Sequence, residues 1–191
     1  MSDVIAECRG VHAGMRGYRV VPARRCHLRE VLPRLRKTDA SEMEQASGRA
    51  AQAAAARAFA LSPVRWAMLH DGRCIALGGA RPYAQFPGVA AVWLYGTPAL
   101  DRAGRALARL APLFAARLRA VWPVLVNVLS PAQLAAYPAM ERWLARCGLF
   151  LAPVRPVGAE GALMHPCMTG GVTPCAEISG GPSWARLCRR A

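Results

Sequence analysis

Between Val89 and Phe150 the chain alternates apolar and helical runs in an order that few folds can use. GVAAVWLYG reads as a strand and TPALDRAGRALARLAPLFAARLRAV as a long helix; PVLVNVLS then reads as a second strand and PAMERWLARCGLF as a closing helix. The turn leading into the long helix is Thr97-Pro98-Ala99-Leu100-Asp101. A phosphate cradle at that place needs free backbone N–H groups and an open positive helix end. Pro98 has no N–H to give, and Asp101 adds a negative charge where the phosphate would sit. The turn is therefore expected not to hold a phosphate.

The remaining segments complete one layered domain. Tyr18 to Ala23 reads as a strand ended by Pro22, and Cys26 to Lys37 as a helix with Leu28, Val31, Leu32 and Leu35 on one face. Pro33 bends or restarts that helix, and Thr38 or Asp39 caps the next one. Gly48 to Leu61 is an alanine-rich helix stopped by Ser62-Pro63. Val64–Leu69 and Cys74–Gly79 flank an Asp71-Gly72 turn, a hairpin signal. The long helix begins near Asp101 as N-cap. It carries Leu107, Leu110, Phe114, Leu118 and Val121 on one face and Arg102, Arg105 and Arg109 on another, with a kink at Pro112. Val124–Leu129 reads as a strand buried on both faces, Pro138–Cys147 as a helix ended by Gly148, and Leu149–Val154 as a further strand. The fold class is α/β (α+β): a mixed central sheet flanked by helices over residues 18–167, with extended arms at 1–17 and 168–191.

The 191 residues are 54% hydrophobic and 19% charged, which suits a globular core and excludes a disordered chain. No signal-peptide pattern stands in MSDVIAECRG, and the apolar runs are far below the ~20 residues of a membrane span, so neither secretion nor a membrane is expected. The net charge of +14 is almost all arginine. It allows attraction to nucleic acid or acidic surfaces, and equally follows from GC-rich coding. The seven cysteines are irregularly spaced, with no CxxC pair, and are expected to be reduced thiols. His165-Pro166-Cys167 with Cys175 lacks a fourth ligand, so no metal is expected.

Several pieces together resemble the internal virion protein A-like family of podophages, distant non-catalytic relatives of the GNAT acetyltransferases. They are YRVVPA, LREVLPRLRKTDASEME with Arg36, Asp39 and Glu42, HDGRCIALGG, VWLYGT, Asn127 in VLVNV, and ERWLARCGLF around Trp143 and Gly148. The resemblance spans residues 18–165 and leaves out both arms. It departs at Leu149-Phe150, where phenylalanine would directly follow the glycine. It implies a GNAT-like domain serving as a phage structural or assembly protein in the virion. The partners implied are portal, tail or internal core proteins met through the arms, in several copies, with packaged DNA as a further partner.

The chemistry of acetyl transfer asks for a pyrophosphate cradle, a base and an acid. The cradle is only faintly echoed by Arg102-Ala103-Gly104-Arg105-Ala106, the strand Val89–Tyr95 has no carboxylate, and Trp143 and Leu144 stand where relatives carry an acidic tyrosine. The expectation is thus no enzyme, no catalytic residue and no cofactor. Asp39, Glu42 and Glu44 read as a solvated helix face or as local salt bridges to Arg36 and Lys37. Arg102, Arg105, Arg109, Arg186, Arg189 and Arg190 are candidate contacts to a partner or DNA. Trp93, Asn127, Trp143 and Gly148 are expected structural anchors. An active N-acetyltransferase and a non-specific nucleic-acid-binding module are the alternatives.

Overall fold

The computed structural model describes residues 17–169. Arg186, Arg189 and Arg190 lie outside the described residues, as do nearly all of both expected arms. The elements are β1 (Tyr18–Pro22), α1 (Arg25–Val31), α2 (Lys37–Ser47), α3 (Ala51–Leu61), β2 (Val64–His70), β3 (Arg73–Pro82) and β4 (Val89–Gly96). They continue with α4 (Gly104–Val121), β5 (Val124–Leu129), α5 (Pro131–Ala136), α6 (Met140–Arg146), β6 (Leu149–Leu151), β7 (Arg155–Pro156) and β8 (Leu163–Thr169). The sheet runs β1-β2-β3-β4-β5-β8-β6, with β7 paired to β8. Only β4 and β5 are parallel, so the sheet is mixed as the sequence implies.

Local chemistry explains the boundaries. Pro33 ends α1 in one 3-10 turn, Leu32–Arg34, and α2 restarts at Lys37. Asp71 and Gly72 both take positive φ, 48° and 80°, the backbone that a two-residue hairpin turn needs. Gly148 closes α6 at φ 75°, and a Cβ there would stand 2.8 Å from Arg119 Nη1.

Alternation along the strands builds a core on both faces of the sheet. From β2, Met68 packs towards Leu110 and Phe114 of α4, and the Trp66 ring stacks on Phe114 at 4.7 Å. Ala67, on the opposite face, packs with Val31, Ala55 and Phe59 of α1 and α3. β4 repeats the pattern: Trp93 and Tyr95 join the α3 side, while Val92 and Leu94 face α4.

Some expected boundaries shift. Asp39 is not a cap, because α2 begins at Lys37 with Arg36 as N-cap. Asp101 is not the cap of α4 either, since a 3-10 turn over Pro98–Ala103 precedes the helix. Pro112 lies inside α4, which continues through it as one element, and Val121 is exposed rather than core-facing. The short helix α5 was not foreseen, because Pro131 at its start reads as a breaker when it is in fact an N1 proline behind the Ser130 cap. β8 takes in Met168 and Thr169, two residues past the expected start of the C-terminal arm.

Candidate active site

The parallel pair β4–β5 holds together only at its start. Val89, Ala90 and Ala91 pair with Val124, Leu125 and Val126, and no pairing continues beyond them. Past that point the two strands part, and each finds other partners for its inward backbone groups. Gly96 donates its N–H to Asp39 Oδ2 at 2.8 Å, and its carbonyl accepts from the Arg36 N–H at 2.9 Å. On β5, the Val128 N–H goes to the Asn127 side chain at 2.8 Å, and the Ser130 N–H goes to Glu42 Oε2 at 3.1 Å. By the two-residue repeat, Leu94 turns its N–H and C=O to the same side as Gly96, where no strand meets them.

Two cavities open from this split, one on each face of the sheet. The larger, about 800 Å³, lies between the strands and α4 and α6, and its wall is mainly apolar: Trp66, Leu107, Ala111, Phe114, Met140 and Trp143. The smaller, about 200 Å³, lies under α2 and α3 and is lined by Met43, Arg49, Arg57, Arg81 and Tyr83 among others. Glu42, Val92, Trp93, Leu94 and Asn127 border both. Glu42 is the only acid among them, and it stands where the two cavities meet.

Burial pushes the Glu42 carboxyl up to about 7, and the neighbouring Asp39 charge adds to the rise. The Ser130 N–H and Arg36 pull the other way without cancelling it. At neutral pH the group is therefore shared between acid and base forms, the condition a general base works best in. Asp39, three residues earlier, has a different task. It is 3% exposed and takes a two-pronged contact from Arg36, Nε to Oδ2 at 2.9 Å and Nη2 to Oδ1 at 2.8 Å. Desolvation opposes the Arg36 charge, yet the hydrogen bonds to Asp39 and Asp101 hold its pKa above the ordinary arginine range. Arg36 Nη1 also reaches Asp101 Oδ1 at 2.8 Å and the Tyr137 hydroxyl at 3.2 Å, and that hydroxyl donates to Asp101 at 2.9 Å.

These contacts correct two expectations. Asp39 makes the expected local salt bridge to Arg36, but Asp39 and Glu42 do not lie on a solvated helix face, because that face of α2 packs over the ends of β4 and β5. The Asp101 charge does not stand alone at the helix entrance, because Arg36 pairs with it. Tyr137 was missed altogether: it follows α5, and its distance from Gly148 hid it from a search four residues upstream. The signal for the acids was present in the Arg36, Asp39, Glu42 spacing, which puts all three near one side of the helix.

The expected anchors are placed as follows. Trp93 donates Nε1–H to Ser62 Oγ at 2.8 Å and stacks on Tyr95 at 4.8 Å. Asn127 closes the β5 edge of the split, as described. Trp143 lines the larger cavity, and its Nε1 is buried without an acceptor; Gln133 Oε1, on the same wall, is likewise unmatched. Arg102, in the 3-10 turn, and Arg105 and Arg109 on α4 are all exposed. His165 Nδ1 lies 3.1 Å from the Ala152 carbonyl, and burial raises the Cys167 thiol to about 12. Among the described residues no group of side chains could hold a metal ion, and no helix is long and apolar enough to cross a membrane.

Solved acetyltransferases share this overall fold. A GNAT-superfamily phosphinothricin acetyltransferase from Sinorhizobium meliloti, in complex with acetyl-CoA, superposes with a TM-score of 0.54 at 14% identity, over 80% of this chain and 87% of that one. The ribosomal-protein-alanine N-acetyltransferase of Brucella melitensis gives 0.54 at 14%, over 79% and 98%. A GCN5-related N-acetyltransferase from Kribbella flavida gives 0.53 at 15%, over 80% and 96%. The chain has the GNAT fold. No family model and no curated protein matches the sequence. The expectation that the chain is not an enzyme is corrected by these neighbours, which are N-acetyltransferases, one of them holding acetyl-CoA. β4 carries no carboxylate; the one that reaches the split comes from α2.

Proposed function

We propose that this protein is an N-acetyltransferase that uses acetyl-CoA. The observation that carries the reading is the placement of Glu42, a carboxyl with a pKa near 7, at the junction of two cavities on opposite sides of a split sheet. A transferase that joins two substrates needs such a junction, with a base there and room on either side.

The larger cavity fits the pantetheine arm of the cofactor. That arm carries amide donors and acceptors on an apolar stem. The cavity offers the backbone of Leu94, which no strand meets on that side, with the unmatched Trp143 Nε1–H and the unmatched Gln133 Oε1 within apolar walls. At the phosphate end the compact turn Pro98–Ala103 offers no glycine cradle, which leaves the exposed Arg102 and Arg105 as the cations there. When bound, acetyl-CoA supplies an activated acetyl thioester. Glu42 accepts the proton that the acceptor ammonium must lose before its nitrogen becomes a nucleophile. Its bond from the Ser130 N–H fixes one carboxylate oxygen and leaves the other available. The Tyr137 hydroxyl, which accepts from Arg36 and donates to Asp101, lies on the wall of the larger cavity and would have to turn its proton from Asp101 to serve as an acid there.

Calorimetric titration with acetyl-CoA, followed by a thiol-release assay over a panel of amines, tests the reading. Binding with micromolar affinity and amine-dependent thiol release are expected; absence of both overturns it. Virion membership, which the podophage resemblance implies, concerns where the protein resides and not this chemistry. Mass spectrometry of purified particles checks it separately.

A further inference from the structure

The wall of the smaller cavity is mostly hydrocarbon. Met43 of α2, Ala54 and Ala58 of α3, Trp93 of β4, and Val126 and Val128 of β5 line it. Trp93 and Tyr95, both on this wall, keep their polar atoms in the core. The Trp93 Nε1–H goes to Ser62 Oγ at 2.8 Å, and the Tyr95 hydroxyl donates to the Ala55 carbonyl at 3.1 Å. Two carboxyls belong to the same wall. Asp39 is taken up on both oxygens by Arg36, and its Oδ2 also accepts the Gly96 N–H. Glu42 has one oxygen on the Ser130 N–H, which leaves the other for an ammonium at the junction with the larger cavity. Arg49 and Arg57 are exposed, where water screens their charge, and the Arg81 guanidinium lies over the Tyr83 ring at 5.5 Å.

On the basis of the acetyltransferase reading, we infer that the acceptor is a primary amine on a short hydrocarbon body that carries no second charge. The amine nitrogen meets Glu42 at the junction, and the body fills the space under α2 and α3. Size sets the limit. The space of about 200 Å³ exceeds the ~150 Å³ apolar cavity that takes one benzene ring, and falls below the ~300–1,000 Å³ usual for larger ligands. Each methylene buried against such a wall raises affinity about fourfold. A second charged group on the body would lose its hydration against hydrocarbon. Arginines that stay in water offset little of that loss.

The test uses the full chain with saturating acetyl-CoA and the straight-chain amines from methylamine to octylamine, with 4-aminobutyrate and 1,4-diaminobutane beside them. kcat/KM should climb about fourfold per methylene, then level off at about five or six carbons, where the space is full. Pentylamine should exceed both doubly charged compounds by at least about tenfold. Ala54→Leu fills part of the space from a half-buried helix position, so the levelling should come at a shorter chain. Thermal melting checks that the variant folds; should it not, the wild-type series decides alone. A flat series, or a kcat/KM highest for 4-aminobutyrate or 1,4-diaminobutane, overturns the inference and leaves the acetyltransferase reading standing. Levelling at an unchanged chain length in folded Ala54→Leu overturns it too. If acetyl-CoA binds and no amine is acetylated, the acetyltransferase reading fails by itself. Titration of ethylamine and pentylamine into the acetyl-CoA complex then decides what the cavity takes: tighter binding of pentylamine upholds the hydrocarbon guest, and equal or absent binding overturns it.

Discussion

The two cavities share five bordering residues and differ in almost everything else. The one under α4 and α6 is apolar and about four times larger; its polar atoms are single, buried and unmatched. The one under α2 and α3 is small, and its mostly apolar wall carries Asp39, Glu42 and the exposed Arg49 and Arg57. An apolar wall with a few orphaned donors and acceptors suits a long, mostly apolar guest with amides along it. A space of about 200 Å³ suits a short one. On the acetyltransferase reading, the difference assigns the donor to one face and the acceptor to the other, with Glu42 bordering both.

The sharpest way to break that division is Glu42→Gln. The amide keeps an oxygen for the Ser130 N–H but takes no proton, so acetyl transfer should fall by about 10²–10⁴-fold with acetyl-CoA affinity unchanged. In the wild type the rate should climb with pH through about 7 as Glu42 deprotonates, and the variant should lose that step. Stability moves the opposite way. Between the ordinary carboxyl value of 4.5 and about 7, the folded chain keeps a proton that the unfolded chain has released. Fold stability is therefore greatest below that window and declines as pH rises through it. Melting of the variant measured from pH 4 to 8 should lack the decline. A variant that retains full rate would remove Glu42 from the chemistry.

Asp39→Ala sharpens the contrast within α2 itself. It removes the partner of a largely buried guanidinium and leaves the Gly96 N–H without its acceptor. Breaking a buried pair from one side costs about 3–5 kcal/mol, so urea unfolding should show a loss of that order. Glu42→Gln, three residues on, should show none at pH 8. If the two variants lost stability alike, both acids would be structural and the base would have to be sought elsewhere.

The contrast between those two acids also marks what a sequence can and cannot carry. Pro33, the Asp71-Gly72 pair and Gly148 impose their geometry on their own neighbours, so the helix break, the hairpin and the helix end were all legible. Trp66 and Met68 facing one side, Ala67 the other, followed from simple alternation. Asp39 and Glu42 depend instead on what α2 lies against. A helix with acids three apart looks the same whether it faces water or the ends of two strands, and only the parting of β4 and β5 supplies the N–H groups that these acids meet. Tyr137 was illegible for a related reason: its role comes from Arg36 and Asp101, 101 and 36 residues away.

The mildest change probes the larger cavity alone. Trp143 packs on the core around Leu144 and Cys147 and presents a buried Nε1–H with no acceptor. An unmatched buried donor costs free energy in the empty protein, so Trp143→Phe should not lower stability by more than the smaller ring's lost packing. If that N–H is kept for an amide carbonyl of the cofactor, the variant should bind acetyl-CoA about five- to tenfold more weakly, in line with about 1 kcal/mol for one hydrogen bond. Glu42 and the smaller cavity are untouched, so KM for the amine should stay put while KM for acetyl-CoA rises. That split in KM is what a purely packing role for Trp143 cannot produce: packing alone would lower thermal stability and disturb both substrates, or neither.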